Sequence, residues 1–375
     1  MENEKKRRNS GIEFLKIMAM MLIALCHAVP IGHVDGVDVA SVYMDVSLVT
    51  MSIQRFCIVL FRYGGQLGNI IFIVCSAWFL LDSKHTNAKK IMYMIADCFF
   101  VSVLILICFL LAGYRFGTME ILQQLLPTYL EANWFIGCYI LMYMIHPLLN
   151  NAVESASKEQ LLSVCVGAVV IYAGLQFLRP GSFFYTNLIG FVCIYFWVAY
   201  DKKYLQKTIE SVRINSLVLA LSLTGNILLV AITNLTGLHM EWFTRKMDRW
   251  AILMNPFLVC AAMAMFHLAI HKQFSSRRIN YIAGLSMLIY IIHANRLVLG
   301  HLRYRVFAYI YSTFSYRYEI FWVFLVAGGL LVLGLVGGII YRAFCQRISH
   351  GLCDWLYDLI VPFWNELKEK LLKME

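Results

Sequence analysis

Lys16 and His27 are separated by eleven residues inside the first long apolar segment, Gly11–Ile31. At 3.6 residues per turn, eleven residues close three turns to within about 20°, so both side chains share one helix face roughly 16.5 Å apart. A cation and an imidazole on one wall of a membrane segment make a candidate for proton-transfer chemistry beside an anion-holding charge. A charged Lys at the bilayer centre costs on the order of 3 kcal/mol, so such a residue faces a protein interior or a wet cavity. Glu13, one turn before Lys16, is placed either to pair with the amine or to mark the membrane boundary.

The elements that must position this pair follow from composition. The chain has 375 residues, 61% hydrophobic and 14% charged, whereas a soluble domain carries about a quarter charged residues. The expected fold is all-α, a polytopic transmembrane helix bundle. Apolar windows predict about ten spans, near 12–32, 66–82, 91–112, 131–150, 160–178, 184–200, 214–235, 251–271, 280–300 and 319–342. Ten spans put both termini on one side. With the N-terminus inside, about 20 Lys and Arg fall on inner segments against about 10 on outer ones, which predicts an N-in, C-in orientation. The Lys5-Lys6-Arg7-Arg8 run leads into the first span without a small-residue cleavage site, so that span is expected to remain in the mature protein.

The net charge of +10 belongs mainly to the inner face, where it orients the chain and attracts anionic lipid. No basic stripe with interleaved aromatics points to nucleic acid. The eleven cysteines form no CxxC pair and read as small hydrophobes, and no metal site is expected. The domain reading is an integral membrane unit, 1–345, followed by an amphipathic inner interfacial tail, 346–375. That tail carries Trp355, Leu356, Leu359, Phe363, Trp364 and Leu367, and Pro362 is expected to kink or divide it. His33–Gln66 reads as an outer loop containing a surface helix, and Gly334/Gly338 as a close helix contact.

Four stretches then carry a resemblance. EFLKIMAMMLIALCH, with Lys16 and His27, resembles the first-helix signature of the acyltransferase-3 family: Arg or Lys, ten residues, then His. NIIFIVCSAWFLL resembles the family's second-helix motif through Phe72 and Ser76, with Ala77 replacing the usual Gly. ANWFIGCYILMYMIHPLL resembles its Trp-Phe helix through Trp134, Phe135, Tyr143 and Pro147. GLSMLIYIIH resembles its Ser-x-x-x-Tyr-x-x-His helix through Ser286, Tyr290 and His293. The four occur in the family's order, from Glu13 to His293. The Arg-x-x-Arg motif that the family often places after its second helix is absent, and Lys84, Lys89 and Lys90 occupy that loop. Lysine lacks the bidentate fork that arginine offers a phosphate.

The resemblance implies transfer of an acyl group, acetyl or succinyl, from cytoplasmic acyl-coenzyme A as co-substrate to a hydroxyl of an envelope glycan, an extracellular polysaccharide or its lipid-linked precursor. Other expected partners are membrane lipids, and the expected location is a bacterial-type plasma membrane. The implied catalytic set is His27, Lys16 and Glu13. Lys16, Lys84, Lys89, Lys90 and Ser76 would meet the acyl-CoA, while Trp134, Ser286, Tyr290, His293 and Arg296 would line the acceptor side or cavity. His27 would act as a base on the acceptor hydroxyl or carry the acyl group itself. Ser286, Tyr290 and His293 would serve as polar lining or oxyanion donors, or simply as interhelical hydrogen bonds. His85, His146, His267 and His271 read as hydrated or capping groups. A transporter or flippase of lipid-linked sugars, or a noncatalytic component of polysaccharide export, remains the alternative; broken helices in related repeats would mark a transporter.

Overall fold

The computed structural model describes residues 8–29, 33–34, 37–38, 49–130, 133–174, 186–237, 250–314 and 318–372. The order is α1 (Ser10–Ala28), α2 (Val49–Leu80), α3 (Ala88–Leu111), α4 (Thr118–Leu125), α5 (Trp134–Ser155), α6 (Lys158–Ala168) with a π-helical turn at Val169–Ala173, α7 (Asn187–Tyr204), α8 (Gln206–Glu210) and α9 (Val212–Gly237). There follow α10 (Pro256–His271), α11 (Arg277–Ala283), α12 (Ser286–His293), a second π-helical turn at Val298–Leu302, α13 (Arg303–Thr313), α14 (Glu319–Phe344) and α15 (Gln346–Leu372).

Side-chain caps start many of these helices, because the first turn leaves amide donors without partners. Asn9 Oδ1 accepts the Gly11 amide at 2.8 Å at the start of α1, and Asn87 Oδ1 accepts the Lys90 amide at 3.2 Å in α3. Asn255 accepts the Phe257 and Leu258 amides in α10, whose first residue is Pro256, a position where the missing N–H costs nothing.

Among the described residues six helices are long and apolar enough to cross a membrane: Ser10–Ala28, Phe56–Leu80, Ala88–Leu111, Trp134–Ser155, Val212–Thr236 and Glu319–Phe344. The segment expected at 251–271 is a shorter helix, Pro256–His271, that at 184–200 is the 18-residue α7, which is not among those six, and 280–300 is not one helix. It is broken at Gly284-Leu285 and again after His293, where Ala294 caps α12. Large apolar side chains such as Leu111, Leu148, Leu217, Phe321 and Val332 stand exposed around the outside. In water these would be a liability, whereas in hydrocarbon they cost nothing.

Two expectations are corrected. The expected outer loop is helical from Val49, and α2 runs unbroken to Leu80; residues 39–48 lie outside the described residues. Arg55 and Arg62 spoil an apolar window, but adding residues to a helix already nucleated costs little. Ile58, Val59, Tyr63 and Leu67 are buried along this extension. Pro362 likewise does not divide the tail, for α15 continues through it. The carbonyl that proline leaves unbonded lies in an exposed stretch where solvent satisfies it.

The core that positions the site is built where α1 meets α2 and where α12 meets α14. A Cβ on Gly68 would come within 2.5 Å of the Ala19 carbonyl oxygen, and one on Gly334 within 2.9 Å of the Ile289 carbonyl. Only glycine allows these backbones to approach so closely, as the Gly334/Gly338 spacing leads one to expect. Around them Ile23, Ile70, Phe135, Phe191, Phe266 and Leu285 form one continuous buried cluster.

Candidate functional site

α1 ends on an imidazole that meets a second imidazole from α12. His27 Nδ1 lies 3.2 Å from His293 Nε2, across 266 residues of chain. His293 Nδ1 lies 2.7 Å from the Ile289 carbonyl oxygen. That oxygen can only accept, so His293 Nδ1 carries a proton; with the ring neutral, Nε2 then accepts from His27 Nδ1–H. The chain of hydrogen bonds assigns His27 the tautomer whose Nε2 holds a free lone pair. His27 is partly exposed, while His293 is fully buried. His27 Nε2 makes no hydrogen bond to any described residue.

Three groups hold this pair in place. Arg303 Nη1 donates to the His27 carbonyl at 2.6 Å and the Val29 carbonyl at 2.8 Å, a cation at the C-terminal end of α1 where the last carbonyls lack partners. Tyr290 packs its ring against both imidazoles, 6.2 Å from His27 and 5.8 Å from His293 between ring centres. Beyond His293, buried Asn295 donates to Gln124 at 2.8 Å and accepts the Leu297 amide at 2.9 Å, which fixes the turn that ends α12.

A cavity of about 360 Å³ extends from Tyr290 toward the start of α1. Lys16, Met20 and Ile23 of α1 line it in steps of four and three residues, a stripe that His27 continues. Arg8, Lys16 and Lys90 gather at its far end, and Phe72, Ser76, Phe135, Tyr139 and Ser286 form much of the rest. Glu13 Oε1 lies 3.5 Å from both Lys16 Nζ and Arg8 Nε, so one carboxylate orients two cations. Lys90 stands over the Tyr143 ring, 4.5 Å from its centre. Asp97 also lines the cavity, but Tyr341, Gln346 and His350 hold its oxygens at 2.9, 3.3 and 3.1 Å. One end is therefore cationic, and the other is aromatic, closed by Tyr290, whose ring packs on the two imidazoles.

The structure thus brings Lys16, Ser76, Lys90, Ser286 and Tyr290 together at one cavity, with Glu13 held on Lys16 and with His27 and His293 packed on the Tyr290 ring. Ser286 Oγ donates to the Ala283 carbonyl at 2.8 Å and is engaged with its own chain. Lys89 turns elsewhere: its Nζ lies 3.1 Å from Asp354 and 3.6 Å from Asp358 of α15. Lys84 is exposed and outside the cavity wall. Trp134 and Arg296 line a different space, a groove of about 970 Å³ on the other face of α5.

Sequence reasoning assigned Arg8 only to the orienting basic run and gave Arg303 no individual role. Arg8 carried a weak signal, since it lies one residue beyond a full turn before Glu13; Arg303 carried none. His146, His267 and His271 find structural partners. His267 bridges Asp201 at 2.7 Å and Asn215 at 2.9 Å, tying α7, α9 and α10 together, and His271 lies 2.7 Å from the Ile209 carbonyl. Outside the spans, Asp354 is held below the ordinary carboxylate range by the hydrogen bond from Tyr93 and by Lys89.

Comparison with known proteins gives one match. A family model described as an acyltransferase domain covers residues 9–341, which includes every element from α1 through most of α14. No curated protein and no solved structure matches this chain.

Proposed function

We propose a function from this premise: the chain belongs to the acyltransferase-3 family, and it is a multi-pass membrane acyltransferase. Our reading is that it moves an acetyl or succinyl group from acyl-coenzyme A to a hydroxyl of a cell-envelope or extracellular glycan, at a bacterial-type plasma membrane. The observation that carries this reading is a cavity with three cations at one end and, at the other, Tyr290, whose ring packs on the hydrogen-bonded His27–His293 pair. An acyl-CoA has the matching polarity: phosphates, then an extended arm, then a thioester.

In this reading Arg8, Lys16 and Lys90 neutralise the phosphates, and Glu13 keeps the first two aimed into the cavity. The distance along α1 from Lys16 to His27, roughly 16.5 Å, suits the arm between phosphate and thioester. His27 Nε2 takes the proton from the acceptor hydroxyl as its oxygen attacks the thioester carbonyl. The C–O bond forms, the C–S bond breaks, and the imidazolium returns the proton to the leaving thiolate. In this reading Tyr290, whose ring packs on both imidazoles, donates its hydroxyl to the carbonyl oxygen as that oxygen gains charge. A two-step route, with the acyl group held briefly on His27 Nε2, uses the same tautomer.

In this reading the chain is oriented N-in and C-in, with the cationic mouth toward cytoplasmic acyl-CoA and the imidazoles toward the other side. That orientation also puts α15 at the inner interface, where exposed Trp355, Leu359, Phe363 and Trp364 would lie in lipid. The test is coenzyme A release and acceptor mass with purified protein in lipid, supplied with acetyl-CoA or succinyl-CoA. An acyl-sized mass gain that disappears in His27→Ala supports the reading. Folded protein that turns over neither thioester in the presence of envelope glycans overturns it.

A further inference from the structure

α5 separates two spaces. Phe135, Ile136 and Tyr139 face the cavity that contains Lys16, whereas Trp134, Gly137, Cys138 and Leu141 face the groove between α3 and α5. The groove follows α5 from Trp134 to Met144, ten residues or about 15 Å. Away from Trp134 its walls include the apolar Ile95, Leu141 and Met144. Leu141 and Met144 are 46% and 51% exposed, so the groove opens sideways, out of the bundle and toward lipid. At the Trp134 end stands Arg296, three residues after His293; it is exposed and makes no ion pair or hydrogen bond to any described residue.

We propose that this groove binds a lipid-borne acceptor, with its apolar chain along α5 and its phosphate on Arg296. The proposal rests on the acyltransferase reading for the word acceptor, and on the groove alone for the lipid. Three features converge on that occupant. A lateral opening with apolar walls suits an alkyl chain. An uncompensated guanidinium beside hydrocarbon suits a phosphate, which it can engage with two parallel hydrogen bonds. The phosphate end, at Arg296, is three residues beyond His293, which contacts His27, so a glycan attached there starts at the end of the helix that carries the second imidazole. A bulk phospholipid would share the first two features but would have no reason to be directed to the third.

The test is binding of a polyprenyl phosphate to the full-length protein in phosphatidylcholine nanodiscs, counted by native mass spectrometry. Arg296→Ala should weaken binding about tenfold or more, the size expected for a lost charge-assisted contact. Leu141→Trp and Met144→Trp, which fill an open groove rather than a packed core, should each block it. Three results would overturn the proposal: unchanged binding in all three variants, equal binding of the uncharged polyprenol, or displacement by an equal mole fraction of phosphatidylglycerol. Acetyl-CoA binding by the unmodified protein is read separately. If that fails while the lipid result holds, the donor assignment falls and the groove stands; the reverse result removes the groove alone.

Discussion

His27 Nδ1 and His293 Nε2 are 3.2 Å apart, and because His293 donates its one ring N–H, at Nδ1, to the Ile289 carbonyl, the second imidazole decides which nitrogen of the first is basic. His293 then acts through His27 as a positioning residue. It does by tautomer selection what a carboxylate does in other proton-transfer sites.

Removing His293 should therefore lower kcat for acyl transfer while leaving the KM for acyl-CoA nearly unchanged. A loss of about a hundredfold in His293→Ala lies within the range for general-base catalysis. His293→Gln restores a side-chain carbonyl that can accept from His27 Nδ1–H, and partial recovery is expected. Equal, severe loss in both variants with intact folding would point to packing and sink the tautomer role.

Lys16 predicts the opposite pattern. Lys16→Ala should raise the KM for acyl-CoA between about tenfold and a hundredfold, as for loss of a hydrogen bond to a charged group. The change in kcat at saturation should be smaller, and Lys16→Arg should keep most of the affinity. Added salt should weaken donor binding less in the Ala variant than in the unmodified protein. If affinity for acyl-CoA stays at its original value in Lys16→Ala, the phosphates lie elsewhere.

The close helix contacts make a stability prediction. Gly68→Val and Gly334→Val each force a side chain into a facing backbone carbonyl, at 2.5 Å from Ala19 O and 2.9 Å from Ile289 O as judged from the first added carbon. Overpacking of this kind costs about 1–3 kcal/mol. Both variants should show a lower thermal midpoint in detergent, whereas Gly328→Val, where a Cβ meets nothing within 4 Å, should not. Equal midpoints for all three would refute the contact.

α15 is latched to α3 through Asp354, which accepts from Tyr93 at 2.6 Å and pairs with Lys89 at 3.1 Å, while His350 stacks on Tyr93 at 4.1 Å. The carboxylate is held below its ordinary range, so its contribution is complete above the unfolded value of about 3.9 and is lost as pH falls through the lower folded value. Spin labels on α3 and α15 should report the same distance at neutral and mildly acidic pH, and a broadened one in Asp354→Asn. A narrow, unaltered distance in that variant would mean that the ion pair does not hold the tail.

Much of this site was legible from spacing. The Lys16–Met20–Ile23–His27 stripe follows from helical period, and Glu13 beside Lys16 from a single turn; both are relations within one helix, which local geometry decides. The apolar composition likewise determined a helical membrane protein, and the ordered motifs pointed to the family that the match over residues 9–341 shows.

What no spacing could decide was which distant elements meet. Lys89 and Lys90 are neighbours in the chain, yet α3 turns one toward Asp354 and the other into the cavity. Trp134 and Phe135 are also neighbours, and they serve two different spaces on opposite faces of α5. Arg303 reaches back 276 residues to the end of α1, and His293 reaches 266. A helix's own sequence determines which residues share a face; the packing of the whole bundle, through contacts such as Gly68 on Ala19 and Gly334 on Ile289, decides what each face meets.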